Sequence, residues 1–158
     1  MKKMTLTTIM MTIIDQISKL VVRTFLSLFE TVTIIPSFLN ITYVQNTGAA
    51  FSILEGKQWI FVLASLIVLV GIIYYLKNRT LSKVDVIIFS LLMSGIIGNL
   101  IDRIFFHYVT DFIEFIILGK YMPIFNLADT FICVGCVLLI FKEEICKHLN
   151  TRKKKANE

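Results

Sequence analysis

Four apolar segments, Met4 to Leu28, Trp59 to Leu76, Val86 to Phe106 and Pro123 to Phe141, occupy more than half of the chain and leave it few ways to fold. Each approaches the ~20 residues that carry a helix across a hydrocarbon core of ~30 Å. Inside such a core a segment has to satisfy its own backbone hydrogen bonds, which selects helices. The chain of 158 residues therefore reads as one integral-membrane domain, mainly α, with four transmembrane helices. Its hydrophobic fraction of 56% agrees, since soluble domains run at roughly 45–50%.

The charges set a direction. Lys2 and Lys3 precede the first segment, Lys77, Arg79 and Lys83 separate the second from the third, and Lys142, Lys147, Arg152, Lys153, Lys154 and Lys155 follow the fourth. The other two connections hold only Lys57 and Lys120 as basic residues, beside Glu30, Glu55, Asp111 and Glu114. The positive-inside rule then places both termini in the cytoplasm and the two long connections outside. The same placement explains the net charge of +5 without nucleic acid. The first segment is expected to be retained: it lacks a small-residue cleavage site, and Asp15, Gln16, Lys19 and Arg23 interrupt its second half.

The outer connections have strand character. Thr31 to Tyr43, TVTIIPSFLNITY, is rich in β-branched and aromatic residues around Pro36, and VTDFIEF (Val109 to Phe115) alternates briefly. The polar tail from Thr151 to Glu158 is expected to be disordered.

The informative residues are polar ones inside or beside the apolar segments. A charge at mid-bilayer costs about 2.5–3.5 kcal/mol on insertion scales, so such residues usually face the bundle interior and mark a site. Asp15 and Lys19 share a helix face, as do Asn99, Asp102 and Arg103 in GNLIDR; Asn126 and Asp129 in FNLADT are three apart. With the direction above, all three groups fall toward the outer ends of their helices, at the level of Asp111. Eleven residues, Met4 to Ile14, put only ~16 Å of helix before Asp15, about half the hydrocarbon core, which places Asp15 deeper or thins the membrane locally. Gly95 and Gly98 suit close helix packing. In NTGAAF, Asn46 to Phe51, Asn46 offers both ends of an amide, and Gly48 permits a turn or a close approach.

Two carboxylates near one another, such as Asp111 and Asp129, share a proton and titrate as a pair. The ionised member can accept a proton from water while the protonated one polarises a peptide carbonyl. His107 and His148 are the only histidines, so no Ser–His or Cys–His arrangement competes and a zinc-type site is disfavoured. Two other classes remain. A proton-coupled exporter would place its carboxylates near the midplane, whereas Asp111 lies in an outer connection. A thiol oxidoreductase would use Cys133 and Cys136, which fall within the fourth segment and read as small packing residues.

Five motifs in order, DQISK (Asp15 to Lys19), NTGAAF, GIIGNLIDR (Gly95 to Arg103), VTDF (Val109 to Phe112) and FNLAD (Phe125 to Asp129), resemble lipoprotein signal peptidase, or signal peptidase II. The resemblance covers Asp15 to Phe141. It implies a bacterial aspartyl endopeptidase of the cytoplasmic membrane that removes signal peptides from prolipoproteins before a diacylglyceryl-modified Cys. It implies Asp111 and Asp129 as the catalytic pair, supported by Asp15, Lys19, Asn46, Gly48, Asn99, Asp102, Arg103 and Asn126. A small extracytoplasmic β-sheet cradle is implied at Thr31 to Tyr43, and a mobile loop over the site at Gly48 to Lys57. Neither metal nor organic cofactor is implied. Within this scheme Asn46, Asn126 and Arg103 are expected to hold the substrate or the carboxylates, and Asn99 and Asp102 to bridge helices. Arg103 alternatively pairs with Asp102 or reaches the lipid headgroups. Glu114 is expected to be solvated, and Asp85 to be a helix-start acid.

Overall fold

The computed structural model describes residues 2–48, 56–144 and 146–147. Among these, the elements in chain order are helix α1 (Lys2–Phe25), strands β1 (Thr31–Ile35) and β2 (Leu39–Asn46), helices α2 (Gln58–Leu76) and α3 (Lys83–Phe105), strands β3 (Val109–Ile117) and β4 (Lys120–Tyr121), and helix α4 (Leu127–Ile140). The expected mobile loop and the polar tail fall mainly outside the described residues.

Helices α1, α2 and α3 are long and apolar enough to cross a membrane. Helix α2 shows why a bilayer is its solvent: apolar on every side, it buries only Val62 and Leu76 within the protein. Trp59 and Tyr74, at opposite ends of α2, are 74% and 80% exposed, as interface aromatics are. The fourth apolar segment differs from its expected form. Helix α4 starts at Leu127, because the backbone N–H of Phe125 is spent on Ile113 of β3 at 3.0 Å. Pro123 to Phe125 thus belong to the sheet side of the molecule. The resulting helix has 14 residues.

Small residues govern how the helices meet. A Cβ on Gly95 would strike the carbonyl oxygen of Ala128 in α4, and one on Gly98 would strike the Asp15 carboxylate. Gly135 answers from α4, where a Cβ would come 2.8 Å from Leu92. Helix α1 buries Met4, Thr8, Thr12, Asp15, Lys19 and Val22, a stripe at helical spacing with a polar centre, and Val22 at its outer end packs on Tyr43 and Phe112 of the sheet. Asp15 and Lys19 are both fully buried in that stripe, which settles their surroundings as protein rather than lipid.

The strands form one antiparallel sheet in the order β1-β2-β3-β4. Pro36, Ser37 and Phe38 turn the first hairpin, with Ser37 at φ 60° and the N–H of Phe38 bonded to Ile35 at 3.1 Å. Between β2 and β3 the register slips by one residue: Ile41 faces Ile113 but Val44 faces Asp111. This bulge matters because a one-residue slip exchanges the faces of the strand that follows. Before it, Asn40 and Thr42 share a face with Glu114. After it, Val44 and Asn46 share a face with Asp111. Residues 109, 111, 115 and 117 of β3 line a large cavity, while Phe112 on the other face packs with Val22 and Tyr43.

Candidate active site

The acid cluster is assembled from the ends of α1, α3 and α4 and one face of the sheet. At the start of α4, Asn126 and Asp129 form a capping box. The Asn126 side-chain oxygen accepts the N–H of Asp129 at 3.0 Å, and the Asp129 carboxylate accepts the N–H of Asn126 at 3.3 Å. The spacing of three in FNLADT therefore has a local cause as well as a chemical one. Because Asn126 spends its oxygen on the helix, its amide nitrogen is free to donate elsewhere. It donates to Asp111 at 2.7 Å and to Asn99 at 3.2 Å.

Asp111 is held from two sides. Opposite Asn126, the Asn46 amide donates to its other oxygen at 2.8 Å. Asn46 is the diagonal neighbour of Asp111 across the strand pair, and it reaches that face because of the bulge. The N–H of Gly48 bonds the Asn46 oxygen at 2.9 Å, so the NH₂ end is the one turned to the carboxylate. Burial, and then the charge of Asp129, push the pKa of Asp111 up to about 7, against the pull of the two amides and of Lys19.

Asn99 carries the same logic into the bundle. Lys19 can only donate, and its Nζ lies 3.0 Å from the Asn99 oxygen. The NH₂ end of Asn99 is thereby turned to Asp129, at 2.7 Å. Lys19 is fixed in turn by Asp15 at 2.9 Å and Asp102 at 3.3 Å, all three fully buried. Asp15 also accepts the N–H of Ala128 at 2.9 Å, pinning α1 to the first turn of α4. Asp102 accepts the N–H of Thr110 at 2.9 Å, pinning α3 to β3.

A cavity of about 840 Å³ opens beside these groups, between α2, α3, α4 and the sheet. Asn46, Asn99, Arg103, Asp111 and Asp129 give it one polar end, and Phe61, Val68, Ile96 and Ile132 contribute to apolar walls. Asp129 is half-buried at its edge, and Asp111 is 3% exposed. The arrangement offers two carboxylates of unlike surroundings, a guanidinium and several amides around space for an extended apolar ligand. Among the described residues, no group of three or more His, Cys, Asp and Glu side chains could hold a metal ion.

The structure brings Asp15, Lys19, Asn46, Gly48, Asn99, Asp102, Asp111, Asn126 and Asp129 into one bonded network, with Arg103 at its rim. Four expectations change. Arg103 turns from Asp102 and lies over Phe61, 5.1 Å from the ring centre, while Arg23 takes the place beside Asp102 at 3.7 Å. Asn99 touches a carboxylate directly rather than only bridging helices. Glu114 is buried, not solvated, and accepts from Asn40 at 3.0 Å and Thr42 at 2.9 Å. Cys133 and Cys136 are exposed on α4 rather than packed, and Cys133 lines the cavity. Arg23 and Gln16 were legible as polar residues in an apolar segment. Their partners on α3 and β3, Asp102 and Thr110, were not, because these lie about eighty residues away.

The chain matches the model of the family described as signal peptidase (SPase) II over residues 7–144. It belongs to the signal peptidase II family. Similar proteins include one named lipoprotein signal peptidase from Bacillus pumilus, 38% identical over 130 residues, covering 82% of this chain and 84% of that protein. Another of that name, from Staphylococcus aureus, is 37% identical over 144 residues, covering 90% and 87%. A solved bacterial membrane enzyme superposes with TM-score 0.83 at 34% identity, covering 95% of this chain and 92% of its own. A second reaches 0.81 at 35% identity, covering 90% and 92%. Signal peptidase II membership makes the chain a peptidase, and its apolar helices and bacterial relatives make it a multi-pass protein of a bacterial membrane.

Proposed function

We propose that this peptidase removes the signal peptide from prolipoproteins by cleaving before a diacylglyceryl-modified Cys, with Asp111 and Asp129 activating a water molecule. The observation that carries the reading is the placement of both carboxylates on one cavity, joined through Asn126, whose side-chain amide donates to Asp111 and whose backbone N–H donates to Asp129. Asp111, raised by burial and by its neighbour, holds the proton of the pair. Asp129 serves as the base of the pair, at the first turn of α4 beside the donors Asn99 and Asn126.

In the first step Asp129 takes a proton from water as its oxygen bonds to the scissile carbonyl carbon. Asp111 gives its proton to the carbonyl oxygen. In the second, the proton on Asp129 passes to the leaving amide nitrogen, the C–N bond breaks, and Asp111 recovers a proton from the tetrahedral hydroxyl. The apolar walls receive the lipid-bearing part of the substrate. Both termini lie in the cytoplasm and the site near the outer leaflet, in keeping with the distribution of Lys and Arg.

The test is a gel-shift assay on a diacylglyceryl-modified prolipoprotein, comparing wild type, Asp111→Asn and Asp129→Asn, with a chelator in parallel. Chelator-insensitive cleavage by wild type alone is expected. Equal cleavage by all three removes the dyad.

A further inference from the structure

A second cavity, of about 310 Å³, lies at the opposite end of the bundle from the acid cluster. It is walled by the α2–α3 connection, the first turns of α3 and the residue just past α4. Along α3 its Asp85 is seventeen positions from Asp102, or roughly 26 Å at ~1.5 Å per residue. That separation is close to a hydrocarbon core of ~30 Å, so the cavity sits at the other membrane interface.

The lining suits a phosphate on an amphiphile. Arg79 and Lys142 bring two cations to it, with Asn78 and Thr80 as neutral hydrogen-bonding groups. The buried Leu76 and Phe89 form an inner wall without polar groups. The one carboxylate, Asp85, is already committed. Its Oδ2 accepts from the N–H and hydroxyl of Ser82 at 3.0 and 2.8 Å, completing the cap of α3, and its Oδ1 pairs with Lys142 at 2.6 Å. Arg79 has no carboxylate within ion-pair distance among the described residues. Its guanidinium carbon lies over the Tyr75 ring, 4.1 Å from the ring centre, a cation–π contact that holds the group at the cavity. The planar fork of guanidinium donors fits two oxygens of a phosphodiester.

We propose that this cavity binds the phosphate group of an anionic phospholipid headgroup, with Arg79 as the primary contact and Lys142 as the second. Lys77 and Lys83 flank the cavity without lining it, so they belong to the general cationic surface of this interface. That distinction supplies the test. Arg79 and Lys77 are both exposed, and Gln at either removes one charge without disturbing the core.

Purified, delipidated full-length chain in neutral detergent is titrated with phosphatidylglycerol or phosphatidylcholine and followed by native mass spectrometry. One phosphatidylglycerol per chain is expected to be retained, with affinity falling about tenfold in Arg79→Gln and unchanged in Lys77→Gln. Equal losses in the two variants overturn the site in favour of diffuse attraction to a basic surface. Equal retention of phosphatidylcholine overturns it as well. Inorganic phosphate alone is tested on unfolding temperature. A rise in wild type that Arg79→Gln lacks supports recognition of phosphate from either source, and no rise beside retained phosphatidylglycerol assigns the lipid.

Discussion

Lys19 and Asn99 lie on different helices, eighty residues apart in sequence, and the Lys19 ammonium sits 3.0 Å from the Asn99 side-chain oxygen. A cation that cannot accept thereby decides which end of an amide faces a carboxylate. Lys19→Met removes that decision and leaves Asp15 and Asp102 buried without their shared partner, a loss of about 3–5 kcal/mol in stability. Thermal unfolding in detergent measures it. The double variant Lys19→Met, Asp15→Asn restores the charge balance and is expected to regain part of the stability. Its cleavage rate stays low, because the Asn99 oxygen then keeps only the longer bond from Asn126, at 3.2 Å, to turn its NH₂ end toward Asp129. Wild-type cleavage by the double variant would show that Lys19 is structural alone.

Asp111 gives the pH dependence. Burial first, then Asp129, raise its pKa from the ordinary 3.8 to about 7. For an acid raised by folding, the native state binds more protons than the unfolded one between those two values, so stability falls as pH rises from about 4 to about 7. Above that window the dyad loses its shared proton, and kcat/KM is expected to decline with a single-proton slope. Asn46→Ala removes a donor that holds the pKa down, so its alkaline limb should move to higher pH. A limb that stays in place, or moves lower, contradicts the role given to Asp111.

The motifs themselves were legible in the sequence because they are local: helical spacing placed Asp15 with Lys19 and Asn99 with Asp102. The sheet was legible from β-branched residues near Pro36 and the alternation after Val109. What spacing could not supply was the pairing between distant segments. Glu114 looked solvated because its partners Asn40 and Thr42 come from a strand more than seventy residues away. Phe125 looked helical because its apolar run is continuous, whereas Ile113 claims its backbone. The β2 bulge leaves no mark in composition, yet it decides which face Asn46 occupies.

Helix contact carries its own prediction. Gly98→Ala drives a methyl group into the buried Asp15 carboxylate and to 3.2 Å from the Ala128 side chain. Overpacking of this kind costs about 1–3 kcal/mol. Gly71, with nothing within 4 Å, is the control: Gly71→Ala should match or exceed wild type in unfolding temperature. Equal behaviour of the two variants argues against the close approach at Gly98.

Asn126 separates a cap from a site. As N-cap it serves α4 through its oxygen, and as an amide it bridges Asp111 and Asn99 through its nitrogen. Serine caps helices about as well as asparagine, but its single short hydroxyl cannot accept the N–H of Asp129 and also span both partners. Asn126→Ser is therefore expected to unfold within a few degrees of wild type, whereas Asn126→Ala loses the cap, worth about 1 kcal/mol. Both should lose most of their cleavage activity. If the serine variant cleaves as wild type does, Asn126 is a cap and nothing more, and the link between the two carboxylates lies elsewhere.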